Sequence, residues 1–321
     1  MKTGTKIWLI VAAALVLVGG GLFVVTMTMI GWDFSKLSTV KYETNKCDIS
    51  EDFNGISIRT DTSDVAFVLS DDGKCRVECY EEEDRKHSVS VKDGTLTVER
   101  AEKDFLGHIG FNFSTPKITV YLQKTEYEAL LIKASTGDIG IPKAFTFLNA
   151  DISLSTGDVA FCATTAETVK IKASTGKVKV EDTSVGALDI TVTTGNVSVR
   201  DVTCGGEIKV GVSTGKTNLV DVACKSLVSS GNTGDITLKN VIAEASFNVR
   251  RSTGDVTFEG SDAAEIFVQT STGDVEGSLL SSKVFIANTD TGKVDVPKSI
   301  TGGRCEITTD TGDIRISVIN R

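Results

Sequence analysis

Histidine, proline and aromatic residues are scarce in this chain, and each shortage removes a class of protein. Of 321 residues, 2 are histidine, 3 are proline and 6% are aromatic. Neither His87 nor His108 sits in a nucleophile or metal motif, so imidazole catalysis has little to build on. The seven cysteines (Cys47, Cys75, Cys79, Cys162, Cys204, Cys224 and Cys305) are odd in number, irregularly spaced and without a Cys-x-x-Cys pair. That spacing is neither a disulfide framework nor a zinc motif. Positive charge is also short. A formal net charge of −9 and a pI of about 4.9 exclude nucleic acid as a partner, because phosphate binding needs a basic stripe. After residue 30 no apolar stripe recurs at three- and four-residue spacing, so the body is not helical.

One long apolar run is present. Ile7 to Ile30 carries no charged side chain over 24 residues, enough for a helix to cross a hydrocarbon core with some tilt. Lys2 and Lys6 precede it and Trp32 follows it, which predicts a cytoplasmic segment 1–6, a transmembrane anchor 7–30 and an exported remainder. No small-residue cleavage site precedes Trp32, so the run reads as an uncleaved anchor rather than a signal peptide. The polar stretch 31–52 then reads as a spacer between membrane and folded body.

What dominates the chain is a Thr-Gly pair that returns ten times at intervals of 19 or 20 residues. The pairs are Thr136-Gly137, Thr156-Gly157, Thr175-Gly176, Thr194-Gly195, Thr214-Gly215, Thr233-Gly234, Thr253-Gly254, Thr272-Gly273, Thr291-Gly292 and Thr311-Gly312. Such self-similarity marks a solenoid, in which each unit buries its apolar face only against its neighbours. Five residues before each glycine stand Ile132, Ile152 and their equivalents, and two and four residues after it stand Ile139, Ile141 and theirs. These columns are mostly β-branched and alternate with polar residues, the pattern of strands with one buried face. The fold class expected is therefore all-β: a single-chain β-solenoid (β-helix) of about ten Thr-Gly coils over 128–321. At about 4.8 Å per coil it makes a rod roughly 50 Å long. An irregular N-terminal β cap over 53–127 precedes it.

Within that cap, Thr62-Ser63-Asp64 reads as a degenerate first coil with serine in the glycine position. Asp93-Gly94, between two alternating runs, signals a hairpin. The aromatic and glycine-rich loop with Phe105, His108, Phe111 and Phe113 is the candidate binding loop, or else a flap over the open end of the first coil. Glycine at the corner supplies positive φ, and the stacked threonine hydroxyls are expected to brace it by bonding one another or nearby backbone. The residue after glycine is Asp, Asn or Lys. One carboxylate per coil does not converge as calcium requires, so these read as exposed turn residues and no metal or other cofactor is expected. Cys204 and Cys224 each follow their glycine by nine residues and fall on adjacent coils, either bridged or as two buried thiols. With aromatics that are all Phe after Tyr127, the sugar platforms of a carbohydrate-active β-helix are missing, and the chain reads as non-enzymatic.

The recurrent Ser-Thr-Gly-Asp-[Val/Ile] unit, as in Ser135-Thr136-Gly137-Asp138-Ile139 and Ser252-Thr253-Gly254-Asp255-Val256, resembles the bacterial DUF4097 group of candidate adhesins. The resemblance runs from about Phe53 to the C-terminus. It implies a cell-envelope β-strand-repeat protein that works by binding, and some members look like parts of envelope stress systems. It carries over no catalytic residues. The partners expected are thus the membrane, through Ile7 to Ile30, and a cell-envelope protein, a polysaccharide or a host-surface ligand.

Overall fold

The computed structural model describes residues 3–33, 40–100 and 114–319. Helix α1 spans Thr3–Met29 and is long and apolar enough to cross a membrane. It starts four residues before the apolar run and ends on Gly31 at φ 68°, where Trp32 N–H donates to the Met27 carbonyl at 2.8 Å and Gly31 N–H to Thr28 at 3.2 Å. That pair of bonds satisfies carbonyls the last turn would otherwise leave open.

Among the described residues after it, the regular structure is all strand. Between Glu126 and Val318 the chain winds as a β-solenoid of about ten turns whose stacked coils pair in parallel, in register along the apolar columns and with local shifts such as that between Phe147 and Asn149. Ile152 lies opposite Ile132 on one side and Ile171 on the other. The apolar columns line the interior, so a single continuous core runs along the stack. A second corner appears in the middle coils. Asp182, Asp201, Asp221 and Asn240 adopt φ of 51–54° and Gly260 61°, six residues after their corner glycines. Asp, Asn and Gly tolerate that left-handed geometry best, which is the sequence signal for this second ladder.

The two ends depart from chain order. At the C-terminal end, Gly303–Thr311 lies between Val256–Thr272 and Lys283–Thr291. Gly273 N–H donates to Thr311 at 2.9 Å, and Gly312 N–H to Thr291 at 3.0 Å. The last coil of the sequence is therefore inserted under the one before it, and the Gly292 coil becomes the outermost. With a neighbour on one side only, its column residues Ala287, Val294 and Val296 are not fully covered. The inserted coil is spanned by Lys283, which is 4% exposed and pairs with Asp262 at 2.7 Å.

The N-terminal end follows the same plan. Strands β1 (Tyr42–Ile49), β2 (Gly55–Thr62), β3 (Asp64–Leu69), β4 (Cys75–Glu82), β5 (His87–Lys92), β6 (Thr95–Arg100), β7 (Lys117–Leu122), β8 (Glu126–Thr136) and β9 (Ile139–Ile141) build it. The degenerate coil β2–β3 stacks on β8–β9, and β6 and β7 stack on its far side. β4 and β5 then pair antiparallel with β7 and β6 and cover the edge. The expected hairpin is β5–β6, with Asp93 and Gly94 at φ 49° and 70°. One segment differs from expectation. Tyr42–Ile49, assigned to the spacer 31–52, is strand β1, paired antiparallel with β4. Its outer face is polar and only alternate residues are half-buried, so it carries little apolar signal.

Candidate functional site

The Thr-Gly corner sets the frame of the outer surface. All ten glycines have positive φ, from 125° at Gly234 to 158° at Gly292. A second constraint, invisible in the sequence, is contact between coils. A Cβ on Gly157 would lie 2.1 Å from the Gly137 carbonyl oxygen, and one on Gly195 1.8 Å from that of Gly176. The ten threonines before them are exposed, and among the described residues no protein group holds their hydroxyls, contrary to the bracing role expected.

The bracing comes from the following residue instead. Asp138 N–H donates to Asp64 Oδ1 at 2.8 Å, Asp158 N–H to Asp138 Oδ1 at 2.8 Å and Lys177 N–H to Asp158 Oδ1 at 2.7 Å. Asn196, Asp235, Asp255, Asp274 and Asp313 accept in the same way from the next coil. Each side-chain oxygen thus satisfies a backbone N–H that the corner leaves without a ladder partner. Lysine in this column offers no acceptor and breaks the chain of bonds. Lys216 reaches Asp235 at 3.1 Å instead, and that hydrogen bond lowers the Asp235 carboxyl below its ordinary value. With one oxygen of each side chain committed to a backbone amide, these residues are braces before they are ligands.

Alongside this corner runs a shallow trough. Two outward columns line it, four and two residues before each glycine. Across Lys133, Ser135, Ser155, Lys172, Ser174 and Thr193 it encloses about 770 Å³, with Arg59 and the ion-paired Arg100 and Asp61 at its N-terminal end. A second stretch of about 480 Å³ continues past Ser213, Ser230, Asn232, Arg250 and Ser252. Its walls are mainly hydroxyls, backbone edges and spaced cations, and its acids, Asp61 and Glu99, stand at the N-terminal end beside Arg59 and Arg100. The expected binding loop (Phe105, His108, Phe111, Phe113) lies outside the described residues.

Beneath the second stretch the core turns polar. Thr217, Ser229 and Arg251 interrupt three apolar columns, all in neighbouring coils, and all three are buried. Arg251 Nη1 donates to the Val212 carbonyl at 2.8 Å and Nη2 to Thr217 Oγ1 at 2.9 Å. Burial lowers its affinity for a proton, and nearby Asp235 partly restores it. Gly231 makes room for it, because a Cβ there would lie 1.7 Å from Nη1. The seven cysteines are free, and Cys204 and Cys224 are both buried.

These features define a class: a β-solenoid with a polar, elongated outer face, preceded by one helix able to span a membrane. The chain belongs to the family described as Toastrack DUF4097, whose model matches residues 53–211 and 205–321. Among solved structures, a protein from Parabacteroides distasonis ATCC 8503 described as a candidate lipid binding protein has the same fold. It has a TM-score of 0.50 and 14% identity, covering 87% of this chain and 98% of that one. A candidate adhesin from the same organism matches with a TM-score of 0.43 and 15% identity over 84% of this chain and 98% of that one. A candidate adhesin from Bacteroides fragilis NCTC 9343 gives 0.42 and 16% over 86% and 97%. No curated protein matches the chain.

Proposed function

We propose that this protein is a single-pass, membrane-anchored β-solenoid whose exported body binds an elongated cell-envelope polymer, as an adhesin or scaffold without catalysis. The observation that carries the reading is the trough. A hydroxyl stands two residues before the corner glycine in nearly every one of these coils (Ser135, Ser155, Ser174, Thr193, Ser213 and Ser252), with Lys133, Lys172 and Arg250 set at wider intervals beside it, which suits a polymer of repeating polar units better than a compact substrate. Lys2 and Lys6, ahead of the apolar run that begins at Ile7, support a cytoplasmic N-terminus and an exported solenoid. The test is sedimentation of the full chain, in detergent, with insoluble cell wall. Co-sedimentation is expected, and the exposed Lys133→Glu and Lys172→Glu together should release the chain. Lys298→Glu, outside the trough, should not. Failure of the unaltered chain to sediment contradicts the reading.

A further inference from the structure

We propose that Cys79, Glu81 and His87 form a zinc-binding site in the N-terminal cap. Cys79 and Glu81 alternate on the buried face of β4, and His87 opens β5 after the turn that follows. Their donor atoms (one sulfur, one carboxylate oxygen and one ring nitrogen) all lie within 4.8 Å of one another. The Glu81 and His87 side chains are 3% and 6% exposed. Glu81 continues a buried row of Cys75, Val77 and Cys79, where an ionised carboxylate has to be matched by a cation or neutralised by a proton.

Counting donors fixes the state of the imidazole. Ser63 Oγ donates to the Thr62 carbonyl at 2.7 Å, so the Thr60 hydroxyl spends its hydrogen on Ser63 Oγ at 3.1 Å. Thr60 Oγ1 is then an acceptor toward His87 Nε2 at 3.0 Å, and Nε2 carries a hydrogen. The other nitrogen, Nδ1, faces Glu81 Oε2 at 2.7 Å. Two bare lone pairs at that separation repel, so a proton or a metal ion occupies the space between them.

The surroundings match those of a metal site. A ligating histidine usually donates its second N–H to a fixed partner, and a ligating carboxylate is itself held by hydrogen bonds. Thr60 serves the first purpose. Asn45 Nδ2 serves the second, 2.8 Å from Glu81 Oε1, and the His87 backbone N–H holds Oε2 at 2.7 Å. One thiol, one imidazole and one carboxylate suit zinc, whereas calcium and magnesium take oxygen sets. Tetrahedral zinc, with bonds of about 2.0–2.3 Å, spaces its ligands roughly 3.3–3.7 Å apart, so Nδ1 and Oε2 open by about half an ångström. Water takes the fourth position. On binding, the Cys79 thiol loses its proton to solvent and the Glu81–His87 pair loses the one it shares, about two protons per ion. The ion would tie β4 to β5 and, through Thr60, to β2 of the first coil.

The test uses the full-length chain in detergent, stripped with chelator and then titrated with zinc, and with cobalt(II) as the spectroscopic probe. About one zinc per chain should remain after desalting, with a thiolate-to-cobalt charge-transfer band and a raised unfolding temperature. Cys79→Ser should abolish the band. Thr60→Val, which leaves all three ligands in place, should weaken zinc binding about 10- to 100-fold and keep the band. Cys162→Ser should change nothing. Because the unaltered chain and the Thr60 variant suffice, the outcome does not depend on whether Cys79→Ser folds. No zinc retained by the unaltered chain overturns the proposal, and so does a cobalt band that survives Cys79→Ser.

Discussion

At the scale of single residues, each corner column has one physical task, and the tasks are not all the ones the sequence suggests. Positive φ at the glycines is legible from their period. The carbonyl of the neighbouring coil, under 2 Å from where a Gly195 Cβ would sit, is not, because it depends on how closely coils stack. Gly195→Ala should therefore cost on the order of 3 kcal/mol from combined backbone strain and overlap, measured by denaturant unfolding. The threonines are exposed, and the acceptors are Asp and Asn. Asp158→Ala should lower stability by about 0.5–1.5 kcal/mol, the worth of one net hydrogen bond, while Asp158→Asn should restore most of it. Burial pushes the Cys224 and Cys305 thiols up to about 12. A raised acid favours the folded state fully below its ordinary value of 9.0 and loses that contribution as pH climbs toward 12. Stability should fall across that window, and less steeply in a Cys224→Ala, Cys305→Ala variant. Unfolded but unreduced chain should accept an alkyl group on all seven cysteines, which a Cys204–Cys224 bridge would prevent.

At the scale of elements, the regular coils were readable because one buried column repeats with one corner glycine. The order of the end coils was not. Parallel pairing depends on which backbone edge is free when the last strand arrives, and the Gly292 and Gly312 coils carry nearly the same pattern. Only unusual residues betray the exchange. Gly303, where a Cβ would lie 1.7 Å from the Ala264 carbonyl oxygen, and Lys283, buried against Asp262, hold the inserted coil in place. Asp262→Ala leaves that lysine buried and unpaired and should destabilise the chain by about 3–5 kcal/mol, with the C-terminal coils losing amide-exchange protection first. Strand β1 was hidden for a different reason: its polar alternation is that of an outer strand with one wet face. The zinc site was hidden as well, because its three residues lie on two strands and form no contiguous motif.

At the scale of the whole molecule, the corner ladder is a frame, and the surface proposed to bind a polymer is the trough beside it. The frame was visible in the sequence from the Thr-Gly register. The trough was not, since its lining residues are ordinary serines, threonines and lysines that acquire meaning only when coils place them in line. A rod that reads a polymer through repeated small contacts has a quantitative signature. The decisive measurement is the affinity of the full chain for wall-derived oligosaccharides of increasing length. Affinity should rise steadily with each added unit until the ligand spans the trough, and then level off. A dissociation constant independent of length, or equally tight binding of a single sugar unit, would contradict the account.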